Sequence, residues 1–306
     1  MSDAHNEEMQ THTEPTLPAS LSHVRNKSPP HITDMARLRQ ENSRFCPHEV
    51  IILWTRRHTC AIIKDVSINW KIVELKECES TFNVARKEAP WTIVSAERQL
   101  KGRGRFNRTW FGDPGGLWAT YNLPLDPKAT RHWGLLPLVA GVAIIKALDG
   151  YNIRGLRLRW PNDVLVGREK LAGILVERPA TGMASIGIGL NISNDIEQIA
   201  PRTSERPTRL QDLLYACPKV SKMRTLIANA LATTFHTFVE HGIEALKDDL
   251  EAAWGKSLPV VAITDTERVR GYFIGVEPDG SPILRKADGT TVTVPGITVN
   301  RMKELI

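Results

Sequence analysis

Short apolar stretches separated by tight turns, in the middle of the chain, decide what kind of sheet it can form. Residues 156–160 place leucine and tryptophan on one strand face and arginine on the other, as expected of a half-buried strand. Further apolar strands follow after turn sequences, at residues 164–166, 170–176 and 185–192. Connections this short join antiparallel neighbours. The pattern therefore predicts an α+β fold with a mixed or antiparallel sheet and packed helices, and it excludes a doubly wound parallel sheet.

Elements on either side of this region complete the predicted fold. A hydroxyl side chain at Ser80 or Thr81 is a suitable N-cap for a short helix. Strands are predicted at 50–54, 61–63, 70–75 and 92–96, and two longer helices over 132–150 and from Leu226 to Leu246. Near the C-terminus, short strands alternate with Asp-Gly turns, at 260–263, 269–276, 283–284 and 291–294. These strands predict a small SH3-like β-barrel.

The N-terminal segment has a different composition from the rest of the chain. Residues 1–44 are rich in Pro, Ser, Thr, Glu and His and contain no aromatic residue. Such a segment cannot bury enough apolar surface to offset its ordering entropy. We therefore expect a disordered tail at 1–44, a larger domain at 45–255 and the barrel at 256–306.

Composition limits the classes of function that the chain can have. The formal charge of +6 suits an anionic small molecule, an acidic protein or nucleic acid. The four cysteines form no CxxC pair, which argues against a disulfide framework or a cysteine zinc site. The N-terminus lacks the apolar core of a secretory signal. The longest apolar run, 133–145, is shorter than the roughly 20 residues that span a bilayer, so we expect a cytoplasmic protein without membrane contact.

Three arginines and two glycines lie close together after the strand at 92–96. Glycine lets backbone amides approach a ligand, and guanidinium groups match carboxylate or phosphate oxygens. The residues are Gly102, Arg103, Gly104, Arg105 and Arg108. By themselves they leave open a solvated basic loop, an RNA-binding loop and a small-anion site. The chain contains no GxxxxGK[ST] sequence, and Asn107 stands where a dinucleotide fingerprint needs its third glycine.

Polar residues also interrupt the apolar strands of the hairpin region. Asp163 ends a Trp-Pro-Asn-Asp turn, Lys170 opens an apolar strand, and Asn191 ends the sequence Gly-Ile-Gly-Leu-Asn. Each has a structural interpretation, as an Asx-turn residue, a snorkelling edge lysine and the end of a β-bulge. Each also has a functional interpretation, in which Lys170 is a fixed cation over a reacting carboxylate.

Taken together, these segments resemble the biotin protein ligase family. The resemblance is strong over residues 75–195 and weak over 255–306. It rests on the order of Ser80-Thr81, Gln99-x-x-Gly-Arg-Gly-Arg, Trp110, Trp-Pro-Asn-Asp, Lys-Leu-Ala-Gly-Ile-Leu-Val-Glu and Gly-Ile-Gly-Leu-Asn. The family implies a mixed sheet like that of class II aminoacyl-tRNA synthetases, with packed helices and a C-terminal SH3-like barrel.

The same resemblance implies an activity and its partners. The enzyme would use ATP and Mg²⁺ to convert biotin into biotinyl-5'-AMP. It would then transfer biotin to a lysine of a biotin carboxyl carrier protein, as in acetyl-CoA carboxylase or a related carboxylase. No protein ligand for a metal is implied, because Mg²⁺ arrives as the ATP complex.

Site residues are assigned by the resemblance, position by position. The biotin and acyl-adenylate pocket would contain Ser80, Thr81, Gln99, Gly102, Arg103, Gly104, Arg105, Lys170 and Gly173. The ATP side would contain Arg108, Trp110, Asn162, Asp163 and Asn191, with Trp110 near the adenine. Arg105 and Lys170 are expected to carry the catalysis.

The chain also departs from the family pattern. Phe82 stands where many members have Asn, and Phe106 and Asn107 replace a frequent Arg-Gly. No helix-turn-helix domain is visible before residue 50, where 35–42 would form one short helix, so we expect no DNA binding. A lipoate or octanoate ligase and a basic nucleic-acid-binding module are the alternatives; the Gly-Arg-Gly-Arg loop argues against the first. The sequence leaves open whether two copies form a homodimer.

Deleting residues 1–44 should leave activity and thermal stability almost unchanged, because that segment has no apolar residues spaced to pack against a core. Melting curves and turnover of the truncated and full-length chains test this expectation. A melting temperature lowered by several degrees would show that the segment is structural.

Overall fold

A computed structural model of the chain describes residues 50–54, 60–64, 68–125, 132–180, 182–202, 205–255 and 257–305. The chain divides into two compact units, Met1–Asp65 and Val66–Ile306. In the first unit, β1 (Val50–Trp54) pairs antiparallel with β2 (Cys60–Lys64), which confirms both predicted strands. The expected tail at 1–44 lies outside the described residues, and the predicted domain limits stay predictions.

Eight strands of the second unit form one mixed sheet, which confirms the α+β prediction. They are β3 (Lys71–Cys78), β4 (Thr92–Arg103), β5 (Thr109–Gly112), β6 (Leu117–Pro124), β7 (Leu156–Arg159), β8 (Asp163–Val166), β9 (Glu169–Ala180) and β10 (Met183–Leu190). Their order is β3-β4-β6-β10-β9-β8-β7, with β5 paired to β4 at one side. Only β3 and β4 run parallel, and every other pair within this sheet is antiparallel. The hairpins of the central region build this sheet.

Two strands near the arginine segment differ from the sequence prediction. β4 continues to Arg103, because β5 pairs with its distal half. Much of the segment assigned to a loop is therefore strand. β6 was not predicted, because its buried Thr120 and Asn122 interrupt the apolar pattern. These polar side chains are satisfied inside the fold, so polarity at these positions does not indicate contact with solvent.

The central strands β6 and β10 have two buried faces. Tyr121 and Ile186 belong to the main hydrophobic core, together with the helices. Asn122 and Ser185 lie on the opposite face, where Ser185 Oγ donates to Asn122 Oδ1 at 2.8 Å. Asn122 Nδ2 in turn donates to the carbonyl of Ala85 at 2.7 Å. The sheet is thus covered on both sides, by the long helices on one and by a short helical segment on the other.

Helices lie on both faces of the sheet. They are α1 (Thr81–Ala85), α2 (Leu136–Leu148), α3 (Leu210–Leu213), α4 (Val220–His241) and α5 (Lys247–Trp254). The amphipathic helix predicted to continue to Leu246 ends at His241. Gly242 has φ of 78° and ψ of −176° there, a backbone conformation that glycine adopts readily because it has no Cβ atom.

Helix α2 is buried nearly all round and packs closely on the sheet. A Cβ atom at Gly141 would lie 2.5 Å from Leu158 Cδ1, so glycine allows the helix backbone to approach β7. The segment Trp133–Tyr151 is long and apolar enough to cross a membrane by composition, but more than half of it is buried inside the fold. Its apolar character is therefore explained by its place in the core.

Five antiparallel strands form a C-terminal sheet. They are β11 (Pro259–Ile263), β12 (Arg268–Val276), β13 (Pro282–Arg285), β14 (Thr291–Thr293) and β15 (Arg301–Glu304), in the order β14-β13-β12-β11-β15. This sheet is consistent with an SH3-like domain, although its described strands do not close a barrel. β15 was not predicted, because its sequence is mostly polar.

The C-terminal sheet is fixed to the larger sheet through β7 and the residue that follows it. Trp160 Nε1 donates to the carbonyl of Gly280 at 2.9 Å. Arg157 makes a bidentate ion pair with Glu304, at 2.6 and 2.7 Å, and both side chains are largely buried. Planar, bidentate pairs of this kind fix relative orientation as well as distance.

Leu158→Ala should destabilise the protein by about 2–5 kcal/mol, because Leu158 is 1% exposed against α2 and its loss leaves a cavity in the core. Urea unfolding monitored by tryptophan fluorescence measures the change. The matched control is Leu100→Ala on β4, where the side chain is 58% exposed and the expected change is within about 0.5 kcal/mol. Equal losses in the two variants would contradict the packing described.

Candidate active site

A cavity of about 450 Å³ lies over β9 and β10, beside α1 and the β4–β5 connection. Most of the residues that the sequence analysis assigned to a site line it. These are Ser80, Thr81, Gln99, Arg103, Gly104, Arg105, Arg108, Trp110, Asn162, Lys170, Gly173 and Asn191. Gly102 and Asp163 are the two assigned residues that do not line it. The biotin-side and ATP-side residues thus meet in one cavity although they come from separate parts of the chain.

Gly102 lies behind the cavity wall and has a structural role there. A Cβ atom at this position would lie 2.3 Å from the carbonyl oxygen of Trp110. Gly102 and Trp110 are paired residues of β4 and β5. Glycine at 102 therefore permits the pairing that places Trp110 against the cavity.

Ser80, Thr81 and Gln99 form a polar end of the cavity. The backbone N–H of Thr81 donates to Gln99 Oε1 at 2.8 Å, and Thr81 Oγ1 donates to the same oxygen at 3.1 Å. The Gln99 carbonyl is thus occupied, which leaves its amide nitrogen to donate to a ligand.

Ser80 lies at the N-cap position of α1, but its side chain does not make the hydrogen bond that caps a helix. No side-chain cap hydrogen bond is made at the start of α1, contrary to the sequence prediction. The Ser80 hydroxyl oxygen is buried and has no hydrogen-bond partner among the described residues. A buried hydroxyl without a partner is costly, so this group suits a polar atom of a ligand.

Three glycines on paired strands form the floor of the cavity. A Cβ at Gly187 would lie 2.5 Å from the ring of Phe82, and one at Gly189 would lie 2.4 Å from the indole of Trp110. Gly173 pairs with Gly189, and a Cβ at Gly173 would lie 2.8 Å from the indole of Trp110. The register of β10 is regular at these positions, so the β-bulge interpretation is wrong. The glycines instead make room for two aromatic rings.

Arg103 is anchored by a carboxylate and an aromatic ring. Its Nη2 lies 3.1 Å from Glu177 Oε1, and its guanidinium lies 5.6 Å from the centre of the Phe82 ring. Arg86 Nη2 reaches the other carboxylate oxygen of Glu177 at 3.0 Å. Sheet pairing holds the backbone as far as Arg103, and the turn that follows is closed by the N–H of Gly104, which donates to the carbonyl of Arg108 at 2.7 Å.

Arg105 and Arg108 lie on the turn between β4 and β5. The guanidinium of Arg105 lies 5.0 Å from the centre of the Phe106 ring, and Phe106 has φ of 56°. Burial lowers the pKa of Arg105 below its usual range; Asp163 opposes this shift, whereas the neighbouring Arg108 adds to it. A half-buried guanidinium beside another cation favours an arriving anion, since the anion relieves both effects.

Lys170 is held over the cavity by a carboxylate and an aromatic ring. Its Nζ lies 2.6 Å from Asp163 Oδ1 and 5.3 Å from the centre of the Trp110 ring. Asp163 Oδ2 accepts a hydrogen bond from Arg159 at 2.6 Å. Burial raises the pKa of Asp163, but Lys170 and Arg159 together outweigh it and hold the pKa below its usual range. Asp163 is therefore an ionised partner of Lys170.

The two asparagines differ in how their polar atoms are used. Asn162 Nδ2 donates to the carbonyl of Ile174 at 2.8 Å. Asn191 Nδ2 donates to the carbonyl of Thr208 at 3.0 Å, and its Oδ1 accepts from Asn194 at 3.1 Å. Asn191 thus fixes the segment beside the cavity, and its amide is already committed to protein groups.

Sequence reasoning missed one wall of the cavity. Glu205 and Pro207 line it, because the chain beyond Asn191 returns to pair with Lys170. The backbone N–H of Lys170 donates to the carbonyl of Arg206 at 2.8 Å, and the backbone N–H of Thr208 donates to the carbonyl of Lys170 at 2.9 Å. This segment has neither apolar periodicity nor a motif, so no local signal could have found it. Phe82 was noted only as a departure from the family and proves to line the cavity.

Among the described residues, no group of three or more His, Cys, Asp or Glu side chains could hold a metal ion. The charged groups that reach the cavity wall are chiefly cations: Arg103, Arg105, Arg108 and Lys170. The geometry therefore suits a molecule that carries several anionic groups, such as a carboxylate and phosphates.

Known proteins are similar to this chain in sequence. The family model for the biotin/lipoate A/B protein ligase family matches residues 73–191. The biotin--[acetyl-CoA-carboxylase] ligase of Paracoccus denitrificans is 30% identical over 235 residues, which cover 71% of this chain and 95% of that protein. The bifunctional ligase/repressor BirA of Bacillus subtilis is 26% identical over 220 residues, 69% of this chain and 67% of that protein.

A solved structure has the same fold. The biotin protein ligase from Aquifex aeolicus in complex with biotin and ATP superimposes with a TM-score of 0.67 at 24% identity, covering 77% of this chain and 99% of that one. Fold and site together define a ligase that handles an acid and a nucleotide in one cavity. The chain belongs to the biotin/lipoate A/B protein ligase family.

Gly189→Ala should raise the KM for ATP by roughly tenfold, because the added methyl displaces the Trp110 ring that the resemblance places near adenine. Base–aromatic stacking is worth about 1–3 kcal/mol, and ~1.4 kcal/mol is a factor of ten. Steady-state kinetics at varied ATP measures the effect. The matched control is Gly150→Ala, where a Cβ meets nothing within 4 Å. An unchanged KM in Gly189→Ala would remove Trp110 from the nucleotide site.

Proposed function

We propose that this chain is an ATP-dependent biotin protein ligase, which forms biotinyl-5'-AMP and transfers biotin to a lysine of a carrier protein. One observation carries the proposal. Arg103, Arg105 and Lys170 line a single cavity whose polar end offers the Gln99 amide and the unpartnered Ser80 hydroxyl. A molecule with a carboxylate at one end and a neutral polar ring at the other matches this distribution of charge and hydrogen-bond donors.

The first half-reaction brings two anions together. The carboxylate oxygen of biotin attacks the α-phosphorus of ATP, pyrophosphate leaves, and a mixed anhydride is formed. Arg105 and Lys170 offset the repulsion between the carboxylate and the phosphates and stabilise the charge that grows on the α-phosphoryl oxygens. Lys170 can serve in this way because Asp163 and the Trp110 ring fix its ammonium group.

The nucleotide side of the cavity is formed by Arg108, Trp110 and Asn162. Trp110 offers an aromatic face for the adenine, and Arg108 is a cation for the phosphates. Mg²⁺ enters with ATP as part of the substrate, where it neutralises phosphate charge. Asp163 supports this side through Lys170, since it does not line the cavity.

In the second half-reaction a carrier lysine attacks the carbonyl carbon of the adenylate. The new amide bond forms as the bond to the AMP oxygen breaks, and the lysine amine loses a proton. The turn that begins at Gly104 covers the adenylate before transfer, because it carries Arg105 and Arg108 and is the part of the segment without sheet pairing. Such a cover keeps water from the reactive anhydride.

The carrier is a carboxylase domain, as the names of the relatives imply. We further propose that the chain works in the cytoplasm, does not bind DNA, and can form a homodimer. The homodimer would use the edge strand β3, whose outer side has no strand partner among the described residues.

Two alternatives fit the site less well. A lipoate or octanoate ligase holds an acyl tail without a polar ring, which would leave Ser80 Oγ without a partner in the bound state. A nucleic-acid-binding module needs exposed cations with interleaved aromatic rings, but Lys170 is largely buried and paired with Asp163.

Biotin-dependent exchange of pyrophosphate into ATP tests the proposal, because it requires adenylate formation and no carrier. Wild-type protein should catalyse exchange with biotin and not with lipoate or octanoate. Lys170→Ala and Arg105→Ala should each lower the exchange rate by about 10²–10³, since each removes a cation that faces reacting anions. Lys101→Ala is the control, because the Lys101 side chain is exposed and pairs with the exposed Glu79. Normal exchange in either variant would remove that residue from the mechanism.

A further inference from the structure

Two polar side chains of β6 hold the two ends of the short helix α1. Thr120 Oγ1 lies 2.8 Å from Thr81 Oγ1 at the start of the helix. Asn122 Nδ2 donates to the carbonyl of Ala85 at its end, at 2.7 Å. Two residues of a strand span about 6.7 Å and four residues of a helix span about 6 Å, so the two contacts match in spacing. β6 is therefore the support on which α1 and the residues at its start are fixed.

The hydrogen bond between Thr120 and Thr81 has a defined direction. Each hydroxyl carries one hydrogen. Gln99 Oε1 receives the hydrogen of Thr81, at 3.1 Å, so Thr120 gives its own hydrogen to Thr81 Oγ1. The reverse arrangement would leave the Thr120 hydrogen without an acceptor among the described residues, on a side chain that is 0% exposed, and this is costly. The hydrogens thus run from Thr120 to Thr81 and from Thr81 to Gln99.

This order of hydrogens decides what the cavity offers to a ligand. Thr81 and Gln99 line the cavity, whereas Thr120 lies behind them. Thr81 Oγ1 has given its hydrogen to Gln99 and keeps one lone pair, so it accepts. The carbonyl of Gln99 is occupied by the backbone N–H and the hydroxyl of Thr81, so Gln99 donates through its amide nitrogen. The polar end therefore presents an acceptor next to a donor, which matches a ring that carries an N–H beside a C=O.

We propose that Thr120 is a positioning residue for the acid substrate, because it fixes the Thr81 hydroxyl as an acceptor for the polar ring of that substrate. This inference rests on the proposed function, in which the ring belongs to biotin. Thr120 itself touches no substrate. Without its hydroxyl, no described side chain of β6 holds Thr81 Oγ1 in place, and rotation of that hydroxyl takes the acceptor away from the ring. Binding of the ring weakens, whereas the cations around the reacting carboxylate are unchanged.

Binding of biotin alone, measured by titration calorimetry, is the first test, because it needs neither ATP nor a carrier. Thr120→Val keeps the shape of the side chain and removes the hydroxyl. It should raise the Kd for biotin by about fivefold, which corresponds to one hydrogen bond between neutral groups.

Thr234→Val is the matched control for this measurement. Thr234 on α4 is similarly buried, and its hydroxyl has no hydrogen-bond partner among the described residues. The variant should therefore bind biotin as the wild type does. Equal Kd values for Thr120→Val and Thr234→Val would overturn the inference.

Biotin-dependent pyrophosphate exchange separates positioning from loss of structure. Thr120→Val should raise the KM for biotin about fivefold, with kcat and the KM for ATP within about twofold of wild type. Thr120→Ser keeps the hydroxyl but loses a buried methyl group, so it should have a nearly normal KM for biotin although it is less stable. If Thr120→Val lowers the melting temperature, the serine variant carries the test. A KM in Thr120→Ser as high as that in Thr120→Val would show a purely structural role.

The route through Thr81 is tested with a double variant. Thr81→Val should raise the Kd for biotin at least as much as Thr120→Val does. Adding Thr120→Val in that background should cost nothing more, because the Thr120 hydroxyl then has no partner to fix. Losses that multiply would contradict the route through Thr81.

The two hypotheses fail in different ways. A wild-type protein without biotin-dependent exchange would sink the proposed function. Wild-type exchange together with an unchanged Kd for biotin in Thr120→Val would sink only the role of Thr120.

Discussion

The close approach of two aromatic rings to glycine backbone on β9 and β10 is the constraint on which the active site depends. Gly173, Gly187 and Gly189 leave the space that the rings of Trp110 and Phe82 occupy. The same rings then serve as supports for cations, since Lys170 lies over Trp110 and Arg103 over Phe82. A side chain at any of these glycines would displace a ring, and the cation resting on it would lose its position.

Two cations of the site are paired with carboxylates that do not themselves react. Arg103 pairs with Glu177, and Lys170 with Asp163. A partly buried cation without a partner would be costly in free energy, so these acids stabilise the fold around the site. An arriving carboxylate or phosphate competes with them for the same cations, and binding becomes an exchange of anionic partners. The arrangement thus balances the stability of the fold against affinity for the substrates.

Much of the site could be predicted from sequence, because its residues come in short motifs with characteristic spacing. The Gly-Arg-Gly-Arg segment, Trp-Pro-Asn-Asp and Lys170 line one cavity or support it directly, as expected. The sequence could not distinguish residues that line the cavity from residues that support the lining residues from behind. Asp163 and Gly102 belong to motifs that line the cavity, yet their roles are to hold Lys170 and to permit strand pairing. Asn191 lines the cavity but uses its amide to fix a neighbouring segment.

The sequence by itself determined the class of fold, the small C-terminal β domain and the set of cations, because periodicity, turn residues and motif spacing are local properties of the chain. Tertiary structure alone decided two other features. It placed Glu205 in the wall of the same cavity as Lys170, and it made a strand of β6 despite its buried Thr120. These features depend on contacts between residues far apart in the chain. A hydrogen bond or an ion pair across such a separation leaves no periodic trace in the sequence around either partner.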